Sequence, residues 1–343
     1  MDERSDQTDA IVCRDSVKIT AAVAVYNEEA HIGRCLEGLL MQRCSEPIEV
    51  LVIDGMSTDR TAEIVQSFAR IDPRVKLLHN RRRLQVYAWN MALREARGEY
   101  FAMILGHADY EPDYFASCME TLNRTRAAAV GGVQRPYGTS ALERAIAWCM
   151  SSPLGMGNAR FRYTTEEEES DSVFSIFTRT ESLRAVGGYD ESLPFDEDSD
   201  LNYRLRRSGG KLIVSPSIRV RYHVRRCLRS LWKQMFCYGY WRRCSQLKNG
   251  GAVPPRVFAP AALVAGLALS AALACTPYRT AAALIPAAYA AFLAASGAFA
   301  VRRAGFAAAL VPAALATMHF AYGVGWWKAF FTRRHRVRVA AAA

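Results

Sequence analysis

Four carboxylates crowd one short stretch, Asp196, Glu197, Asp198 and Asp200, ahead of a basic run with Arg204, Arg206 and Arg207. Acids packed beside cations are the material of a proton-accepting base next to an anion site. A helix N-terminus also favours acids, through its unpaired N–H groups and its dipole, so capping by Asp198 or Asp200 is the competing reading. Capping needs only one of the four. Glycines at 187, 188, 209 and 210 mark turns on either side, which sets the acids on an exposed loop entering a helix, where working residues gather.

The elements that must position such a site begin at Ile19 to Val25, a continuous apolar run of the kind a strand buried on both faces requires. Asn27 is placed to cap a following helix that runs to Gln42. Val50 to Ile53 repeats the pattern and ends in Asp54 and Gly55, after which Thr58 or Asp59 can cap a helix over Arg60 to Arg70. Val75 to Leu78 reads as a third strand and Tyr100 to Leu105 as a fourth. Between them a helix over Leu84 to Ala96 is expected to stop at Gly98. Strands alternating with helices imply a mostly parallel sheet covered on both faces. Ligands of such sheets bind beyond the carboxyl ends of the strands, where Tyr26 to Glu28, Asp54 and Gly106 to Asp109 fall. Asp54 can accept there from a base N–H or a ribose hydroxyl, or it can close an Asx turn with Gly55. No GxGxxG or GxxxxGK signature follows the first strand, which argues against NAD or ATP as the main ligand.

The 343 residues divide unevenly: charge lies mostly before position 250, and an Ala-rich apolar tract follows Pro254. Its runs approach the ~20 residues that cross a bilayer, so two to three membrane helices are expected over 255–327, with a basic tail at 328–343. Trp326 and Trp327 beside Lys328 suit the membrane interface. The net charge of +11 concentrates on either side of the tract, which fits an anionic cytoplasmic leaflet and not nucleic acid. By the positive-inside rule, residues 17–250 are expected in the cytoplasm, with 221–250 as an interfacial basic segment. Residues 1–16 read as a disordered tail with no signal-peptide pattern. Nine cysteines without metal-like spacing are expected as free thiols.

Several motifs in consistent order resemble a known family. Tyr26-Asn27-Glu28, VLVIDGMSTDRT, HNRRRLQVYAWNMALREARGEYF, and GGYD followed by Glu197-Asp198 resemble family 2 glycosyltransferases of the GT-A fold over roughly residues 17 to 245. GMGNARFR at 155–162, DSVF at 171–174 and QMFCYGYWR at 234–242 are similar to the succinoglycan-type branch of that family.

That resemblance implies a Rossmann-like α/β domain with C-terminal membrane helices. It makes Ala24, Val25, Tyr26, Asn27, Glu28 and Asp54 a nucleotide-sugar wall, with Arg83 and Asn90 on matching positions of the third helical segment. Asp198 takes the place of the catalytic base, and a sugar hydroxyl needs one to attack in an inverting, single-displacement transfer. Glu197 is its neighbour, expected to raise the proton affinity of Asp198. The family's cation-binding Asp-x-Asp or Asp-x-His element falls on Leu105-Gly106-His107. Leu105 replaces the first acid, leaving His107 and Asp109 as candidate ligands for Mg²⁺ or Mn²⁺. Asp171, Arg204, His223, Gln234 and Trp241 fall on the acceptor or diphosphate side.

The partners implied are a nucleotide-diphosphate sugar, expected as a UDP-sugar, and a polyprenyl-diphosphate-linked acceptor at the cytoplasmic membrane, in exopolysaccharide or envelope glycan synthesis. Two alternatives are a transferase loading one sugar onto polyprenyl phosphate, and a silent membrane scaffold that binds nucleotide sugars, motivated by Leu105.

Overall fold

The computed structural model describes residues 17–157, 159–249 and 257–332. The expected tail over 1–16, Asn158 of the GMGNARFR motif and residues 333–343 of the basic tail lie outside the described residues. The chain forms two compact units. One contains residues up to Val133, Thr164–Glu191 and Leu201–Val220; the other contains Gln134–Tyr163, Ser192–Asp200 and the chain from Arg221 on. The basic segment from Arg221 therefore groups with the C-terminal helices.

The strands in chain order are β1 (Ile19–Val25), β2 (Ile48–Asp54), β3 (Val75–His79), β4 (Tyr100–Leu105), β5 (Ala108–Tyr110), β6 (Ala129–Tyr137), β7 (Glu168–Glu169), β8 (Phe174–Arg179) and β9 (Leu212–His223). The helices are α1 (Ile32–Leu40), α2 (Thr61–Ile71), α3 (Gln85–Glu95), α4 (Tyr114–Thr125), α5 (Ala141–Met150), α6 (Pro153–Met156) and α7 (Thr180–Ala185). They continue with α8 (Glu197–Arg207), α9 (Leu228–Asn249), α10 (Ala259–Leu273), α11 (Arg279–Ala282), α12 (Leu284–Ala304) and α13 (Val311–Phe331).

The sheet order is β3-β2-β1-β4-β8-β6-β9-β5, with β7 on β9. The first four strands are parallel, in a register that lines up Val25 with Asp54, Asp54 with His79, and Ala24 with Leu105. β8 runs antiparallel to both β4 and β6, so the sheet is mixed. Successive residues of β1 point to opposite faces. Ile19, Ala21, Val23 and Val25 share one core with Leu36 and Leu39 of α1, Val65 of α2 and Phe115 of α4. The buried Val86, Trp89 and Leu93 of α3 lie outside that core, although α3 packs on β1 and β2, which places it on the other face.

Two local expectations need correction. Asn27 does not cap α1, which starts at Ile32; it sits at φ 55° and its Oδ1 accepts from Thr58 N at 2.8 Å. Gly98 is not the stop of α3, which ends at an extended Ala96; a Cβ on Gly98 would meet Thr20 N at 2.5 Å. That glycine answers to strand approach, not helix termination.

In the second unit α13 packs along α9, and it also meets α10 and α5. The approach is close enough that a Cβ on Gly239 would meet Tyr322 O at 2.0 Å, a spacing only glycine permits. Against the two or three spans expected, one stretch among the described residues, Arg279–Phe331, is long and apolar enough to cross a membrane. Two features account for the difference. The 15 residues of α10 make about 22 Å of helix, short of the ~30 Å hydrocarbon layer. Much of α13, including Ala314, Leu315, Met318 and Ala321, is buried within its own unit. Outward-facing apolar side chains remain on and beside α12, among them Leu284, Phe299 and Phe306.

Candidate active site

In the first unit the carboxyl ends of β1, β2 and β4 bring together the expected nucleotide wall. Ala24 and Val25 close β1, and Gly55 N donates to Val25 O at 2.8 Å, tying the ends of two strands. Tyr26 is half exposed beyond them. Asp54, 2% exposed, accepts from Ser57 N at 3.2 Å and Ser57 Oγ at 2.5 Å, with His79 Nδ1 at 3.7 Å. The turn at Asp54 is thus closed by Ser57 and not by Gly55. Arg83, at φ 63°, is exposed at the start of the third helical segment. Asn90 departs from the expected role: its Nδ2 donates to Tyr189 O at 2.8 Å and its Oδ1 accepts from Tyr189 N at 2.8 Å. Both ends of the amide are spent on holding the GGYD turn. Beside it, a cavity of about 250 Å³ is lined by Arg81, Arg82, Tyr87, Arg94 and Glu191, among others. There Arg82 stacks 3.4 Å from the Tyr87 ring centroid.

The expected metal ligands are engaged with protein partners. Asp109 is clasped by Arg34, with Nε at 3.0 Å and Nη2 at 2.5 Å from Oδ1. His107 Nδ1 lies 3.0 Å from Glu28 Oε1. Leu105 ends β4 where the first acid was expected. Among the described residues no group of three His, Cys, Asp or Glu side chains could hold a metal ion. His107 and Glu28 offer two donors where Mg²⁺ or Mn²⁺ takes about six, so the described residues do not form a closed cation site by themselves.

Two of the acceptor-side residues also lie in this unit. Asp171 is half-buried on the loop before β8. Arg204 Nη1 donates to Val186 O at 2.6 Å, which makes it a fastener of that turn.

In the second unit the four acids are sorted by their partners. Asp196 adopts φ 66°, a left-handed backbone uncommon outside glycine, and pairs with Arg242 at 2.8 Å. Burial pushes its carboxyl up to about 7 against the pull of Arg242, with Asp198 and Asp200 adding to the rise. Asp200 is fully buried and pairs with Lys248 at 3.1 Å, with Asn249 Nδ2 also at 3.1 Å. Glu197 is pushed well above the carboxylate range, by burial first and then by the charge of Asp198. Asp198 Oδ1 accepts from Ser199 N at 2.7 Å, so it satisfies one N–H at the start of α8. Among the described residues no cation lies within ion-pair distance of Asp198.

α9 supplies what surrounds this segment. Arg242 also donates to Ser199 Oγ at 2.7 Å, and the Trp241 ring lies 6.2 Å from that of Phe195. Gln234 donates to the hydroxyls of Tyr222 and Tyr238, each at 3.1 Å. His223 stands edge-on to Tyr137 at 5.2 Å, with Nδ1 3.0 Å from Val224 O. Gln234 and Trp241 thus share a helix with the cations that hold the acids. Sequence reasoning took Arg242 and Lys248 only as flanking membrane charges. The signal that could have found them is charge complementarity: two cations on one helix for two acids that are too buried to stand alone.

Residues 20–187 match the family model described as glycosyl transferase family 2. The chain is 32% identical over 328 residues to succinoglycan biosynthesis protein ExoA of Rhizobium meliloti (strain 1021), across 94% of this chain and 99% of that protein. It is 28% identical over 230 residues to the dolichyl N-acetyl-alpha-D-glucosaminyl phosphate 3-beta-D-2,3-diacetamido-2,3-dideoxy-beta-D-glucuronosyltransferase of Methanococcus voltae, across 64% of this chain and 71% of that one. Among solved structures, the mannosyltransferase PcManGT from Pyrobaculum calidifontis, in complex with GDP-Man and Mn²⁺, aligns with a TM-score of 0.59 at 21% identity, across 89% of this chain and 86% of that one. That likeness bears on the fold alone.

Proposed function

The chain belongs to glycosyl transferase family 2, and from that premise we propose that it moves a sugar from a nucleotide-diphosphate donor to a lipid-linked saccharide, with inversion, at the cytoplasmic face of a membrane. The donor in this reading is a UDP-sugar and the acceptor a polyprenyl-diphosphate saccharide of exopolysaccharide or envelope glycan synthesis. Support for a lipid-linked acceptor comes from the name of the Methanococcus voltae relative, and support for a membrane from the apolar stretch Arg279–Phe331.

The observation that carries the reading is the sorting of the acids. Arg242 pairs with Asp196, Lys248 pairs with Asp200, and burial pushes the Glu197 carboxyl up, while among the described residues no cation lies against Asp198. Asp198 is the base that remains. It takes the proton of the acceptor hydroxyl as that oxygen attacks the anomeric carbon, and the nucleoside diphosphate leaves from the opposite face. A protonated Glu197 beside it adds no second negative charge against the developing alkoxide. On the donor side, Asp54, Tyr26 and Arg83 stand at the strand ends where the nucleotide binds in this reading.

A panel of nucleotide sugars incubated with the full chain and native membrane lipids, with products read by mass, tests the proposal. Addition of one sugar to a lipid-linked saccharide is expected. Product made only on polyprenyl phosphate would move the assignment to single-sugar loading, and no product from any donor would sink it.

A further inference from the structure

The GMGNARFR motif contributes a charge that the proposed transfer does not use. Arg162 closes the short turn Arg160–Arg162 and is 6% exposed. It donates through Nη1 to Gln134 Oε1, and its guanidinium lies 5.0 Å from the Phe161 ring centroid. Among the described residues no carboxylate lies within ion-pair distance of it, and its Nε is buried without a hydrogen-bond partner. An arginine does not shed its charge on burial, so an uncompensated one is strongly unfavourable unless an anion arrives to meet it.

Other polar groups of the second unit belong to the same neighbourhood. Gln234 ties Tyr222 and Tyr238 together through its Nε2, while its Oε1 is buried with no partner. The Tyr238 phenol senses the charges of both Arg162 and Asp198. The second unit thus holds a buried cation, two phenols joined through Gln234 and the proposed base, with Arg162 Nε and Gln234 Oε1 still unsatisfied. Guanidinium and hydroxyl donors suit the oxygens of a phosphate.

We propose that Arg162 seats a phosphate oxyanion of the lipid-linked acceptor, its diphosphate, and thereby holds the acceptor beside Asp198. This rests on the reading of Asp198 as the base. The same chemistry could come from the diphosphate of the donor, and the two sources separate kinetically.

The test uses the full chain in lipid nanodiscs with Arg162→Met and Arg162→Lys. For Arg162→Met the acceptor KM is expected to rise at least about tenfold, with kcat within about threefold of wild type and the donor KM unchanged. Its melting midpoint should equal or exceed that of wild type, because a buried charge has been replaced by an apolar chain. Inorganic pyrophosphate should raise the midpoint of the wild-type chain and leave that of Arg162→Met where it was. A rise in donor KM instead of acceptor KM would overturn the acceptor assignment. The anion seat itself would be overturned by an equal pyrophosphate shift in both proteins. So would a fall of more than about 4 °C in Arg162→Met that Arg162→Lys reverses with acceptor KM unaltered throughout. If the wild-type chain transfers no sugar at all, the transferase reading fails by itself, and the pyrophosphate comparison still decides the role of Arg162.

Discussion

The carboxylates of the two units are treated in opposite ways. In the first unit the carboxylates at the strand ends have close partners: Asp54 has Ser57, Asp109 has Arg34 and Glu28 has His107. In the second unit four acids are crowded into one turn, two of them held by cations from α9, one pushed up by burial and one with no cation against it among the described residues. The first arrangement is what a binding wall needs, since fixed groups present a constant surface. The second concentrates unfavourable electrostatics in one place, including a left-handed Asp196 and a buried Asp200, and such cost is tolerated where a perturbed carboxylate does chemistry.

The contrast breaks most directly at Asp198. Asp198→Asn keeps the shape and the bond to Ser199 N but removes the base, and a loss of about 100-fold or more in kcat is expected at unchanged protein levels. Near wild-type turnover would return the acid cluster to capping. Arg242→Gln comes next: it leaves Asp196 without its cation, and a fall of about tenfold in kcat, together with a lower melting midpoint, should appear in the same preparation. An unaltered rate would mean that α9 only packs against the segment.

Leu105→Asp tests the other side. Restoring a carboxylate two positions before His107 should lower the Mn²⁺ concentration for half-maximal activity by about tenfold after chelation and readdition. If the titration curve does not move, the strand end at Leu105 is not where a cation acts. The smallest effect concerns pH. Asp196 titrates near 7 in the folded chain and near 4 when unfolded, so the native state binds the extra proton between these values. The Asp196 contribution to stability then falls as pH rises from about 4 to about 7 and levels off above, Glu197 adding a fall of the same sign, and Asp196→Asn should flatten the slope by a few degrees in melting midpoint. A slope of the same size in the variant would assign it to other groups.

Much of the parallel half of the sheet was legible. The apolar runs ending at Val25, Ile53, Leu78 and Leu105 coincide closely with β1 to β4; β1, β2 and β4 are apolar because they are buried on both faces, while β3 lies at the sheet edge. The antiparallel half was not, since β8 joins β4 to β6 through pairings far apart in the chain, with a register shift between Val130 and Gly132. The same distance hid the role of Asn90, whose partner Tyr189 is 99 positions away, and the loss of Asp109 to Arg34, 75 positions away. The apolar C-terminal tract was visible as composition. That α13 would bury so much of its surface in its own unit depends on small residues meeting a neighbouring helix, which hydropathy does not register.

The acid cluster shows where the boundary lies. Its presence, its place at a helix start and its match to family 2 motifs follow from residue types and their order, because local turns, helix dipoles and motif spacing are properties of neighbouring positions. Which acid is left without a cation follows only from the tertiary structure. Arg242 and Lys248 reach Asp196 and Asp200 from α9, and burial decides that Glu197 holds a proton; both depend on distance and solvent exclusion in space, which chain order alone does not contain.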